Sequence, residues 1–176
     1  MNALPDLIPR RLSLVVVDEP ARSLLPALIA RLALSAPLRV LDAGNCFPAY
    51  PVAREIRRIT PDLEATLQRI QVARAFTCYQ VLALLEDTPA DSAPLLILEL
   101  LSTFTDESVR LAERVRLLVR FTQEIQRIRR QAPVGVIVSL RSGQPDTPVL
   151  LKIVERAADE VWRFEAERPL PPPRLF

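Results

Sequence analysis

The sequence predicts a three-layer α/β domain in which a mostly parallel sheet carries helices on both faces. Apolar runs such as LSLVVV, LLILEL and VGVIVSL recur along the chain, and each is only five to seven residues long. Stretches with helical spacing of apolar residues separate these runs, and Pro, Gly and Asp mark the junctions. Short strands that are apolar on both faces are typical of buried parallel strands, with helices forming the crossovers.

The strands are predicted from the apolar runs in order. They lie at residues 12–17, 38–42, 70–74, 95–100, 134–140 and 161–164. The run at 95–100 follows a polar, Pro-punctuated loop at 88–94, which favours a central position in the sheet. The second strand ends at Gly44 and Asn45, residues that tolerate the positive φ of a tight turn.

The helices are predicted from capping residues and spacing. Ser23 is a plausible N-cap, and Pro26 then lies in the first turn, where its missing N–H costs little. The acids near residue 105 suit the positive end of a helix dipole. The helices are expected at 23–35, at 52–59, from 60–61 onward, from Thr77 onward, at 105–130 and at 147–157.

Length and composition predict a single domain. The 176 residues divide into an irregular lead-in (1–11), one α/β domain (12–165) and a Pro-rich tail (166–176) that is a possible docking segment. The net charge of +2 gives no global attraction to nucleic acid. Lys152 is the only lysine among 23 basic residues.

The residue types that are missing exclude several kinds of site. The chain has no histidine, which excludes Ser–His and Cys–His catalysis and histidine-ligated metals. Cys46 and Cys78 form no CxxC pair and are interpreted as packing residues. Without a disulfide framework or a secretory segment, we expect a cytoplasmic protein, and no apolar run is long enough to span a membrane.

The turn after the first strand is where a phosphate-binding loop would lie in such a sheet. Here it reads VVDEPARSLL, without glycine or lysine, and its acids Asp18 and Glu19 would repel phosphate. Arg22 and Ser23 at the helix start could hold an anion weakly. We therefore expect no cofactor, and in particular no ATP–magnesium site.

The segment TPDLEATLQRIQVARAFTCYQVLALLED…PLLILELLSTF resembles the core of the RecA-like recombinases, in their archaeal and eukaryotic branch. The resemblance extends over roughly residues 10–165, and its specific part is residues 60–104. It implies the RecA-like, P-loop NTPase type of fold. In that family a helix, the phrase "ARA", a further helix and the Walker B strand follow in this order.

The departures from the family pattern imply that the ATPase is degenerate. Gly44 stands where the family has its catalytic glutamate, and Glu99 where it has the Walker B aspartate. The polar sensor position falls near residues 139–141 without the family's Asn-Gln pair. Asp42 is interpreted as an acid that caps the turn after its strand, whereas Glu99 is expected either to pair with an arginine such as Arg141 or to have a metal role. The degenerate nucleotide site would comprise Asp18, Arg22, Ser23, Asp42, Gly44 and Glu99.

The family's two DNA-gripping loops correspond to residues 102–110 and 141–148. Their basic residues Arg110, Arg114 and Arg141 are the candidates for DNA or partner contact, too few for strong phosphate-driven binding. The leading hypothesis is a non-catalytic paralog that binds a RecA-type ATPase, or itself, in DNA recombination or repair. Two alternatives stay open. One is an unusual nucleotide-binding ATPase that uses Arg22, Glu99 and Arg141; the other is a scaffold or regulatory module whose tail docks elsewhere.

Overall fold

Strands and helices alternate along the chain in the computed structural model, which describes residues 10–18, 25–140 and 143–164. The strands are β1 (Leu12–Asp18), β2 (Leu38–Asp42), β3 (Ile70–Arg74), β4 (Leu95–Leu98), β5 (Val134–Leu140) and β6 (Glu160–Phe164). The helices are α1 (Leu25–Ser35), α2 (Ala49–Ile59), α3 (Leu63–Leu67), α4 (Cys78–Asp87), α5 (Leu101–Phe104), α6 (Leu111–Arg129) and α7 (Thr147–Ala157).

The six strands form one sheet in the order β3-β2-β4-β5-β1-β6, and every neighbouring pair is parallel. Helices cover both faces, so the predicted three-layer α/β class is confirmed. The arrangement is consistent with a RecA-like, P-loop type of fold. Parallel strands need crossover connections, and the helical stretches of the sequence supply them.

Two apolar clusters fill the space between the sheet and its helices, one on each face. In β1, Leu14 and Val16 contribute to the cluster under α4, α6 and α7, whereas Val15 and Val17 contribute to the cluster under α1 and α2. This alternation explains why β1 is apolar at consecutive positions, because side chains of a strand point to the two faces in turn. Both faces of the central strands are therefore core.

Two helices start at the predicted positions. Thr77 is the N-cap of α4, and its side chain accepts a hydrogen bond from the Gln80 N–H at 3.2 Å. α7 begins at Thr147 with Pro148 in its first turn. Other starts differ from expectation by a few residues, since α2 begins at Ala49 and α3 begins at Leu63.

Two predicted boundaries are wrong, the end of the strand β4 and the start of the helix α6. β4 ends at Leu98 because Glu99 adopts a positive φ of 52°, which turns the chain out of the strand and into α5. The long helix α6 begins at Leu111 and not near residue 105. The carboxylate of Asp106 accepts a hydrogen bond from the Ser108 N–H at 2.9 Å, so this acid closes a local turn and does not start the helix.

Candidate functional site

Three polar side chains meet where neighbouring strands end. Asp42 ends β2, Glu99 follows β4 directly, and Ser139 is the penultimate residue of β5. β4 pairs with β2 on one side and with β5 on the other, so the three residues lie side by side. In open parallel sheets the carboxyl ends of the strands are where ligands bind. The fold thus brings Asp42 and Glu99 together at the carboxyl ends of the strands, where the sequence predicts a ligand site would lie.

Asp42 is fully buried and organises the turn after β2. Its two carboxylate oxygens accept hydrogen bonds from the Cys46 N–H at 2.9 Å and the Phe47 N–H at 3.0 Å. The Nε of Arg74, at the end of β3, lies 3.4 Å from the same carboxylate. Backbone donors and a neighbouring cation satisfy a buried charge. The interpretation of Asp42 as a turn-capping acid is therefore confirmed.

Glu99 is held in the interior by Ser139. Only 4% of Glu99 is exposed, and its carboxylate accepts a hydrogen bond from the Ser139 N–H at 3.1 Å and a short one from the Ser139 hydroxyl. The carboxylate is therefore buried and not exposed at the strand end, and both of its described donors come from Ser139. Pairing with an arginine stays a prediction. Arg141, the arginine suggested for that pair, lies outside the described residues.

Gly44 makes room for Glu99. A Cβ atom at position 44 would lie 2.5 Å from the Glu99 Cβ and 2.9 Å from its Cγ, closer than non-bonded carbon atoms approach in proteins. The absence of a side chain therefore allows the β2 turn to pass directly over Glu99. Gly44 and Glu99 act as one structural unit at this edge.

The turn after β1 contributes less information. Asp18 ends β1, but its side chain and the residues Arg22 and Ser23 lie outside the described part of the structure. Their assignment to a degenerate phosphate loop stays a prediction.

The described carboxylates at the strand ends are engaged by internal donors. Asp42 accepts two backbone hydrogen bonds and Glu99 accepts two from Ser139. Among residues 10–18, 25–140 and 143–164, no group of three or more His, Cys, Asp or Glu side chains could hold a metal ion. These hydrogen bonds hold the backbone turns at the strand ends. Each carboxylate oxygen of Asp42 and Glu99 accepts one of them.

The two loops next to this site are tied together by buried and polar contacts. Arg114 of α6 is only 4% exposed, and its guanidinium donates to the Phe104 carbonyl at 3.1 Å and to the Asp146 carboxylate at 2.6 Å. Gln144 donates to the Thr105 hydroxyl at 3.1 Å. Arg114 thus links α5, α6 and the start of α7.

This placement corrects the expectation that Arg114 contacts DNA or a partner at the surface. Its side chain is buried because Phe104 and Asp146 supply its acceptors inside the molecule. Arg110, the residue just before α6, is exposed as expected. Arg141 is not described, so one of the three basic candidates is placed at the surface.

A second surface feature, which the sequence did not single out, is a groove along β3. The groove has a volume of about 290 Å³ and lies between β3, β2 and the end of α4. Among the described strands, β3 pairs only with β2, so its other side is an open edge. The lining residues include Arg39, Leu41, Gln71, Ala73, Leu84 and Thr88.

Arg39, which lines the groove, forms an ion pair with Asp91. The two terminal guanidinium nitrogens of Arg39, Nη1 and Nη2, donate to the Asp91 carboxylate at 2.7 and 2.5 Å. The hydrogen bond from Arg39, with a further one from the Ala93 N–H, lowers the pKa of Asp91 to about 2. A signal for the groove was present in the sequence, because QVA in β3 puts a polar Gln71 and a small Ala73 where a covered strand would carry large apolar residues.

Comparisons with known proteins give no assignment: no protein-family model matches the chain, and no curated protein matches it either. Within the described residues, no helix has the length and apolar character needed to cross a membrane.

Proposed function

We propose that this chain is a non-catalytic, RecA-like accessory subunit that binds a partner protein, a RecA-type ATPase, in cytoplasmic DNA recombination or repair. The observation that carries the proposal is the state of Glu99, the residue that the resemblance aligns with the Walker B aspartate. Its carboxylate is buried and accepts both of its described hydrogen bonds from Ser139.

The geometry of Glu99 argues against magnesium-dependent hydrolysis. A Walker B carboxylate supports magnesium beside the nucleotide phosphates. For Glu99 to do so, it would have to release Ser139, leaving a polar group without its partner at a cost of about 1–3 kcal/mol. The aligned catalytic glutamate is replaced by Gly44, whose side-chain space is filled by Glu99 itself. Both acidic positions of the family are thus engaged in holding the fold.

The open edge of β3 supports a role in binding protein. The Leu38 N–H donates to the Arg69 carbonyl and the Ala75 N–H donates to the Asp42 carbonyl. With the two-residue period of a strand, the backbone groups of residues 71 and 73 therefore face β2, and those of Val72 and Arg74 face away from it. Unpaired backbone groups on an edge strand accept an extended segment from another chain, and a neighbouring groove receives its side chains.

The first test is isothermal titration of the purified chain with ATP and magnesium, with a catalytic RecA-type ATPase titrated in parallel as the positive control. We expect no binding heat up to millimolar nucleotide. Micromolar binding that weakens on Glu99→Ala would overturn the non-catalytic assignment and favour the atypical ATPase.

The second test is co-purification of the tagged chain from its native cells, followed by identification of the captured proteins. We expect a RecA-type ATPase, and we expect its recovery to fall at least tenfold with Ala73→Arg, which fills the groove with a large charged side chain. Ala112→Arg, at an exposed position of α6, is the matched control. Equal recovery with the two variants would exclude β3 as the binding edge, and capture without any RecA-like or DNA-repair protein would contradict the proposed pathway.

A further inference from the structure

The outer face of α2 carries one aromatic ring and three guanidinium groups in line. Tyr50, Arg54, Arg57 and Arg58 lie at positions i, i+4, i+7 and i+8, which is one face of a helix. Val52 and Ile56 on the opposite face are fully buried. Tyr50 is 78% exposed. We refer to these four residues as the α2 stripe.

Within α2, the arginines of the stripe outnumber the acids. Glu55, the only acid in α2, pairs with Arg58 at 3.0 Å and lies 3.9 Å from the Nε of Arg54. Arg57 has no ion-pair partner among the residues that the structure describes.

The arginines of α6 show the opposite arrangement. Each of the five arginines within that helix pairs with a different acid. The pairs are Arg114–Asp146, Arg116–Glu113, Arg120–Glu86, Arg127–Glu124 and Arg129–Asp159. An arginine-rich composition therefore does not by itself produce unpaired positive charge.

A second exposed aromatic lies at the same corner of the sheet. Asp42 accepts the Phe47 N–H and contacts Arg74, which brings the start of α2 and the end of β3 together. Tyr50 follows Phe47 by three residues, and Phe76, which is 65% exposed, follows Arg74 by two. Tyr50 and Phe76 are thus both exposed to solvent in segments that follow the carboxyl ends of β2 and β3.

We propose that the α2 stripe, with Phe76, binds single-stranded nucleic acid. Guanidinium groups pair with backbone phosphates, and exposed aromatic rings stack on unpaired bases. A duplex keeps its bases stacked inside, so the exposed rings favour a single strand. The stripe has no apolar centre, whereas the centre of a protein–protein interface is depleted in charge. From Tyr50 to Arg58 the helix rises about 12 Å, enough to contact a few nucleotides.

This inference is independent of the proposed accessory function. It places nucleic acid on α2, on the sheet face opposite to α4 and α6, and not on the loops at residues 102–110 and 141–148. A chain that binds nucleic acid without a RecA-type partner would satisfy this inference and fail the other.

The test is fluorescence anisotropy of a labelled oligothymidylate with the full chain. The variant Arg54→Gln/Arg57→Gln removes two charges from the stripe, and Arg116→Gln/Arg120→Gln removes two exposed charges from α6 as the matched control. We expect the stripe variant to bind about tenfold more weakly and to lower the slope of log K against log salt by about 1.4, whereas the control changes little. Tyr50→Ala should weaken binding about fivefold or more.

Several results would overturn the inference. One is no binding by the wild-type chain at about 50 mM salt, where phosphate contacts are strongest. Another is an equal loss in the stripe and α6 variants, which would indicate general charge attraction. Equal affinity for a duplex would exclude single-strand recognition. Competition by polyglutamate as effective as that by the oligonucleotide, with Tyr50→Ala unchanged, would instead indicate an acidic protein segment.

Discussion

At the scale of single residues, Gly44 and Glu99 depend on each other. Glu99 has a positive φ of 52°, a conformation that costs a non-glycine residue of order 1 kcal/mol. The hydrogen bonds to Ser139 and the close approach of Gly44 hold it there. Strain at this strand end is therefore offset by its neighbours.

Gly44→Ala should destabilise the protein by about 1–3 kcal/mol, because the new Cβ would lie 2.5 Å from the Glu99 Cβ. In the Glu99→Gly background that contact no longer exists, so the same substitution should cost less by at least about 1 kcal/mol. Urea unfolding of the four proteins in this double-mutant cycle measures both values. Additive effects of the two substitutions would contradict the proposed contact.

The ion pair between Arg39 and Asp91, beside the β3 groove, predicts a pH dependence. The hydrogen bond from Arg39, with a smaller contribution from the Ala93 N–H, lowers the pKa of Asp91 from 3.8 to about 2. These contacts therefore contribute stability above about pH 4, which is lost as the pH falls from 3.8 to 2. Arg39→Gln should raise the Asp91 pKa toward 3.8, and the remaining bond from the Ala93 N–H should keep it below that value. Carbon-13 NMR titration of the Asp91 carboxyl measures the shift. Arg69→Gln, which changes an exposed arginine away from Asp91, should leave it unchanged.

At the scale of secondary-structure elements, the existence of each strand could be predicted from the sequence, but the residue at which a strand ends could not always be predicted. β2, β3 and β5 have the predicted bounds because apolar runs end there at polar or turn-forming residues. Apolar residues resume at Leu100 after the single charged residue Glu99, so the local sequence does not indicate that Glu99 turns the chain. That turn depends on Gly44 and Ser139, which are distant in sequence.

The helices after this turn were harder to predict for the same reason. The acids around Asp106 are typical of a helix start, but the Asp106 carboxylate closes a local turn through the Ser108 N–H. The helix α6 begins only at Leu111. Arg114 looks like a surface cation in the sequence, yet its acceptors come from α5 and from the residue before α7. Contacts between elements, which single-sequence patterns do not contain, decide both cases.

Arg114→Ala should therefore loosen the junction of α5, α6 and α7. Breaking a buried ion pair costs roughly 3–5 kcal/mol, and the partial exposure of Asp146 reduces the expected value to about 2–4 kcal/mol. Arg116→Ala removes an exposed pair on the same helix and should cost less than about 1 kcal/mol. Urea unfolding compares the two variants, and equal losses would contradict a structural role specific to Arg114.

At the scale of the whole molecule, the sheet has a fully covered centre and open edges. β4 and β5 are buried on both faces, whereas most residues of β3 and β6 are exposed. The covered strands could be predicted because their sequences are continuously apolar. The shape of the groove could not, since it forms only where β2, β3 and the end of α4 come together. The α2 stripe follows from helical spacing within one segment, but its neighbours in the fold do not.

Hydrogen exchange should report this division directly. In the free protein, the backbone N–H groups of β4 and β5 should exchange slowly and those of Val72 and Arg74 rapidly, because the latter face away from β2. The N–H groups of Gln71 and Ala73 face β2 and should be intermediate. If a partner segment adds to the edge of β3, its binding should slow exchange at Val72 and Arg74 while leaving Gln71 and Ala73 nearly unchanged. Slow exchange at Val72 in the free protein would mean that another part of the chain already pairs with β3, and the edge would then be closed to a partner.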